Sequence, residues 1–98
     1  MADRIMGDLF ERLIDSEIKI ELLYFFRSNP GTIDTVEGLA SRIGRSVEAV
    51  QKSINDFVRI GLVERRKVGE SEVIVFNQDK DREMRSAMYT LKRQQGGM

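Results

Sequence analysis

Apolar residues recur along this chain at two periods, and the places where the period changes divide it into elements. Ile5, Met6, Leu9, Phe10 and Leu13 keep the spacing of one helical face, which predicts an amphipathic helix over Asp3 to Ile14. The next apolar set, at 18, 20, 22, 23, 25 and 26, runs nearly all round a second helix that opens on Asp15 or Ser16 as its cap. That helix stops near Asn29, because Pro30 disfavours a helical residue before it and Gly31 invites a turn. A helix apolar on almost every side belongs at the centre of a core.

Thr32 and Ile33 form a short extended piece, after which Asp34 and Glu37 make a capping box for a helix from Thr35 to Ile43. Its inward face is Val36, Leu39, Ala40 and Ile43. Gly44 suits the left-handed residue that closes this helix, and Ser46 caps the next, from Val47 to about Ile60, which ends at Gly61. So short a connection keeps the two helices from lying antiparallel and favours a steep crossing, with Ala40 small enough to let the backbones approach.

The period then falls to two. Leu62 to Val68 and Glu72 to Phe76 read as strands around a turn at Gly69-Glu70-Ser71, a hairpin that must lean on the helices to be stable. A final amphipathic helix spans Asp79 to about Gln94, with Met84, Met88 and Leu91 in a stripe and Ala87 beside it. That stripe packs either on its own domain or on a second copy across a two-fold axis.

Composition narrows the function more than the fold. At 98 residues the chain is one small domain, expected over 1–95 with a core of 17–77, terminal helices at about 3–14 and 79–94, and a flexible tail at 96–98. It has no cysteine and no histidine, which removes disulfides, thiol chemistry, imidazole or thiolate metal sites and the commonest general base. The carboxylates read as solvated helix surface, and no glycine-rich phosphate loop follows a strand, so neither an enzyme nor a cofactor or metal is expected. No apolar run is long enough to span a membrane and the start "MADRIMGDLF" lacks a signal-peptide core, so the expected location is the cytoplasm.

Sixteen basic and sixteen acidic residues cancel, so any attraction for a polyanion must come from placement. Residues 42–67 hold seven cations (Arg42, Arg45, Lys52, Arg59, Arg65, Arg66, Lys67) against three carboxylates (Glu48, Asp56, Glu64), a local excess of four. The helix beginning at Val47 turns Val50, Ile54, Phe57 and Val58 to one face and Glu48, Lys52, Asn55, Asp56 and Arg59 to the other, with Gln51 on the flank.

The string "LASRIGRSVEAVQKSINDFVRIGLVERR", followed by the hairpin, resembles the winged helix-turn-helix transcriptional regulators of bacteria and archaea, in the broad ArsR/MarR-like sense. The resemblance covers residues 17–77 and implies a mainly α fold with a small β-hairpin wing, extended by N- and C-terminal helices. It implies a regulator that binds double-stranded DNA, with the Val47–Ile60 helix in the major groove and the wing at 62–76 on the backbone. By position, Thr35, Arg45 and Ser46 fall at the helix entrances where phosphate contacts are expected. Gln51 and Asn55 carry amides suited to adenine edges, Lys52 reaches guanine or phosphate, Glu48 accepts from cytosine N4, and Arg59 lies on the same face. Arg65 and Lys67 share one face of the wing strand, while Arg66 points to the other. The amphipathic segments that 17–77 leaves before and after it favour a homodimer through the terminal helices, and a dimer of this kind reads a palindrome with half-sites about 34 Å apart. Winged helices also serve as protein-binding modules, and this alternative stands beside the first.

Overall fold

The computed structural model describes residues 16–96, and the side chains of residues up to 90; the helix expected over Asp3 to Ile14 lies outside the described residues. The elements run α1 (Glu17–Ser28), β1 (Ile33–Asp34), α2 (Val36–Ile43), α3 (Val47–Arg59), β2 (Val63–Val68), β3 (Ser71–Phe76) and α4 (Gln78–Gly96).

Local chemistry sets most of the boundaries. Ser16 caps α1, its hydroxyl accepting from the Lys19 amide, and α1 ends at Asn29 just before Pro30. The cap of α2 is Thr35, one residue later than the capping box predicts: its Oγ1 accepts from the Gly38 amide at 3.0 Å. Asp34 stays extended in β1, where its carboxylate accepts from the Thr35 amide at 2.8 Å and from Arg42 Nε at 2.9 Å. That carboxylate lies over Gly38, where a Cβ would fall 2.1 Å from Asp34 Oδ1, which explains a glycine inside so short a helix.

Gly44 closes α2 at φ 69°, and the Gly44 and Arg45 amides both turn back to the Ala40 carbonyl. Ser46 caps α3 through the Ala49 amide. At the far end of α3, Gly61 (φ 81°) lets Leu62 donate to the Phe57 carbonyl and drop into the core.

Register Val68↔Ser71 leaves Gly69 and Glu70 as the whole turn of the hairpin, one residue shorter than expected. Positive φ at Gly69 alone is the pattern of a type II′ turn, whose twist matches the strands it joins. β1 adds to the outer edge of β3, giving an antiparallel sheet of order β1-β3-β2. Asn77 then caps α4 through the Lys80 amide.

The core gathers Leu22, Leu23 and Phe26 of α1, Val36, Leu39 and Ala40 of α2, Val50, Ile54 and Phe57 of α3, and Leu62, Val63, Ile74 and Phe76 of the hairpin. Phe26 stacks on Phe76 with centroids 5.3 Å apart, joining α1 to the sheet. α4 docks by Met84 and Ala87, both buried, by Met88 packed against the core, and by a bidentate pair from Arg27 to the buried Asp81. The described part of the Met84–Met88 stripe is therefore covered by its own domain.

Among the described residues one expectation fails: α1 is not enclosed. Ile20 is 52% and Tyr24 75% exposed, although neighbouring Leu22 and Phe26 are at 0%. Among the described residues, its helical neighbours α2 and α3 and the sheet cover one side only.

Candidate nucleic-acid interface

α3 divides its two faces as its sequence pattern requires. Val50, Ile54 and Phe57 have no exposed surface, Ser53 joins them inside, and Glu48, Lys52, Asn55 and Arg59 are exposed on the opposite side. Asp56, expected outward, is half-buried because Lys19 of α1 reaches it at 2.8 Å. Gln51 is half-buried on the wing flank, where it lines a cleft of ≈ 220 Å³ with Thr35, Val36, Glu37, Ser71 and Glu72.

The wing stands beside this helix. Pairing of Arg65 with Ile74 and of Lys67 with Glu72 puts Arg65 and Lys67 on the face that buries Val63, Ile74 and Phe76, which is the face turned to α3. Arg66 lies on the opposite face and pairs with Glu64 at 3.0 Å. Arg65 reaches across to Asn55, whose Oδ1 accepts from its guanidinium and also from Gln51 Nε2 at 3.1 Å. Glu72, diagonal to Arg65 on the hairpin, holds the same guanidinium at 3.2 Å. Glu72 was visible in the sequence only as an acidic residue near the wing tip; strand register turns it into the counter-ion of a candidate contact.

The entrance residues have other partners. Arg45 projects toward α1, where its guanidinium donates to both Glu21 oxygens at 2.6 and 2.9 Å and lies 3.3 Å from Glu17. The hydrogen bonds from Arg45 hold the Glu21 carboxyl below its ordinary value, against the opposing effect of burial, and raise Arg45 further. Thr35 and Ser46 both use a hydroxyl oxygen as acceptor for a helix cap, which leaves each O–H proton free to donate outward.

Six of the seven cations in residues 42–67 have a carboxylate within 4.0 Å: Arg42 has Asp34, Arg45 has Glu21, Lys52 has Glu48, Arg59 has Asp56, Arg65 has Glu72 and Arg66 has Glu64. Lys67 has no such partner among the described residues. The local excess of charge is thus largely neutralised pair by pair. The pairs differ, however: Lys52 and Arg59 are 78% and 75% exposed and sit in loose one-turn pairs at 4.0 and 3.6 Å, which contribute only about 0.2 to 0.5 kcal/mol each. Arg45 is two-thirds covered and gripped by both Glu21 oxygens.

Comparison with known proteins follows the architecture. No family model matches the chain and no curated protein matches it. Solved structures do: an ArsR-like transcriptional regulator from a Rhodococcus species superposes with a TM-score of 0.73 at 22% identity, over 99% of this chain and 86% of the other. The fold is a winged helix-turn-helix. In its terms α2 and α3 are the helix-turn-helix and β2–β3 the wing. The homodimeric winged helix-turn-helix DNA-binding domain of a possible ArsR-family regulator from Mycobacterium bovis shares it, with a TM-score of 0.66 at 14% identity over 95% of this chain and 84% of that one. HlyU from Vibrio cholerae does so with a TM-score of 0.66 at 19% identity, over 91% and 90%.

Among the described residues no helix is long and apolar enough to cross a membrane, and no group of three or more carboxylates is placed to hold a metal ion.

Proposed function

We propose that this winged helix is a sequence-specific double-stranded DNA-binding regulator rather than an enzyme, with α3 entering the major groove and the β2–β3 wing lying along the backbone. The observation that carries this reading is the continuity of one surface. Asn55, on the exposed face of α3 with Lys52 and Arg59, accepts from Arg65 of the wing, whose strand face Lys67 shares, so the two polar surfaces meet. The regulators and the DNA-binding domain named among the structural neighbours support it.

The ten candidate residues take different parts. Lys52, Arg59 and Lys67 are exposed cations available to phosphates, and Gln51 and Asn55 bring amides to base edges. Thr35 and Ser46 offer hydroxyl protons at the two helix entrances, and Glu48, at the start of α3, accepts from a cytosine amino group. Arg65 works from the wing. Arg45 contacts phosphate only by exchanging Glu21 for it.

In the same reading the protein acts as a homodimer through its terminal helices on a palindromic site with half-sites about 34 Å apart, as two-fold symmetry requires. The exposed Tyr89 of α4 and the homodimeric neighbour support this.

A second reading, a protein-binding module, is favoured by the shallow apolar groove formed by Ile20, Tyr24, Phe25, Asn29 and Ile43, ≈ 440 Å³ in volume. A salt titration on random duplex DNA separates the two. The DNA reading expects affinity to fall steeply with salt, and Lys67→Ala to reduce the slope by about 0.9 if that lysine neutralises one phosphate. Absence of binding at low salt removes it in favour of the protein partner.

A further inference from the structure

We propose that Arg65 is a positioning residue that fixes the hydrogen-bonding polarity of Asn55, so that Asn55 reads guanine and not adenine. This rests on the DNA-binding reading above and sharpens it to a base.

An asparagine selects adenine by using both halves of its amide at once, Oδ1 accepting from N6 and Nδ2 donating to N7. Its oxygen has two lone pairs for this. Here both are engaged inside the protein: Gln51 donates to Asn55 Oδ1 from one turn earlier on α3, and Arg65 donates to the same oxygen from the wing. What Asn55 has left to offer a base is its Nδ2 group, with two protons and no acceptor. Among the major-groove edges, guanine's is the purine edge built of acceptors alone, N7 and O6. Adenine offers such a group the N7 acceptor alone and sets an N6 proton where guanine has O6, and a donor facing a donor is a desolvated, unsatisfied contact.

Gln51 is not restricted in the same way. It gives one of its two amide protons to Asn55 and keeps Oε1 and the other proton, so the two amides that look equivalent in the sequence are chemically distinct in the fold. The difference originates in the wing. Glu72 at 3.2 Å holds the Arg65 guanidinium across the hairpin, and strand pairing sets Arg65 beside Asn55 although ten residues separate them in the chain. Arg65 therefore acts on base choice without touching a base.

The test is selection from a random duplex pool with the wild type, Asn55→Ala, Arg65→Ala and Arg65→Lys. The wild type should enrich a guanine, by roughly tenfold or more, at a position that becomes degenerate in Asn55→Ala. In Arg65→Ala one lone pair of Asn55 is released, and that position should admit adenine; Arg65→Lys, which can still donate, should keep guanine. An adenine at the Asn55-dependent position of the wild type overturns the proposal. So does an Arg65→Ala pool in which guanine is unchanged and binding is only uniformly weaker, the mark of a phosphate contact, as does an Asn55→Ala pool identical to the wild type. Wild type that binds no DNA at low salt fails one step earlier, at the DNA-binding reading itself. Thermal unfolding of each variant confirms that pool differences arise from folded protein.

Discussion

α1 and α3 are nearly equal in length, at 12 and 13 residues, and both contribute three fully or almost fully buried apolar side chains to one core. They part on the outside. Apart from Val47 at its first position, the exposed surface of α3 is polar, which suits an aqueous groove. The outer face of α1 keeps Ile20 and Tyr24 in contact with water and sets the carboxylates Glu17 and Glu21 beside them, where they bind Arg45. One helix presents polar groups to solvent, where the proposed partner would meet them. The other holds part of the positive charge of the helix-turn-helix back from it.

The strongest contrast is expected from truncating an aromatic residue on each helix. Phe57→Ala removes a fully buried ring from α3 and should lower stability by about 3 to 5 kcal/mol in urea unfolding. Tyr24→Ala on α1 should stay within about 0.5 kcal/mol, since three-quarters of that side chain is already in water. Equal losses would show that α1 is covered in solution by something outside residues 16–96.

Overpacking tests the junction that orients α3. Ala40 is 2% exposed on α2, in the core that α3 shares, and Ala40→Leu should cost about 1 to 3 kcal/mol and weaken DNA binding through misplacement of α3. An unchanged unfolding midpoint would mean the two helices have room to spare.

The smallest effect concerns the charge that α1 holds back. The Glu21 carboxyl is held below its ordinary 4.5 by the hydrogen bonds from Arg45, so its contribution is complete above that pH and is lost as pH falls through the lowered value in the folded protein. Glu21→Gln should therefore flatten the acid limb of a stability–pH curve by lowering stability at neutral pH, with little change at acid pH, where the wild-type carboxyl is protonated. It should also loosen Arg45 and steepen the salt dependence of DNA binding by up to about 0.9. An unaltered acid limb would show that the pair is not formed in solution.

Periodicity and caps made α3 legible in advance. Ser46, Gly44 and Gly61 bound it, and the apolar spacing of Val50, Ile54 and Phe57 named its inner face before any coordinates. α1 was misread for a reason of the same kind: an apolar residue at every angle says that a helix can be buried, not that enough neighbours exist to bury it. The helix cap of α2 moved from Asp34 to Thr35 because β1 pairs with β3 and keeps Asp34 extended, a long-range cause that a local cap rule does not contain.

The candidate interface divides along the same line. Exposure of Glu48, Lys52, Asn55 and Arg59 follows from helical geometry alone, and the shared face of Arg65 and Lys67 from strand alternation. Charge counting overstated the attraction, because the partners of Arg45 and Arg65 are 24 and 7 positions away and a window along the chain does not include both members of each pair.

Local sequence settled the elements, most of their caps and the two faces of α3, since these depend on residues within one or two helical turns of each other; the cap of α2, shifted by sheet pairing, is the exception. Which cations remain available, which amide can accept a proton and which apolar face stays in water were decided only when hairpin register and helix crossing brought distant residues together. Hydrogen-bonding capacity belongs to a residue, but what is left of it after folding belongs to its neighbours in space.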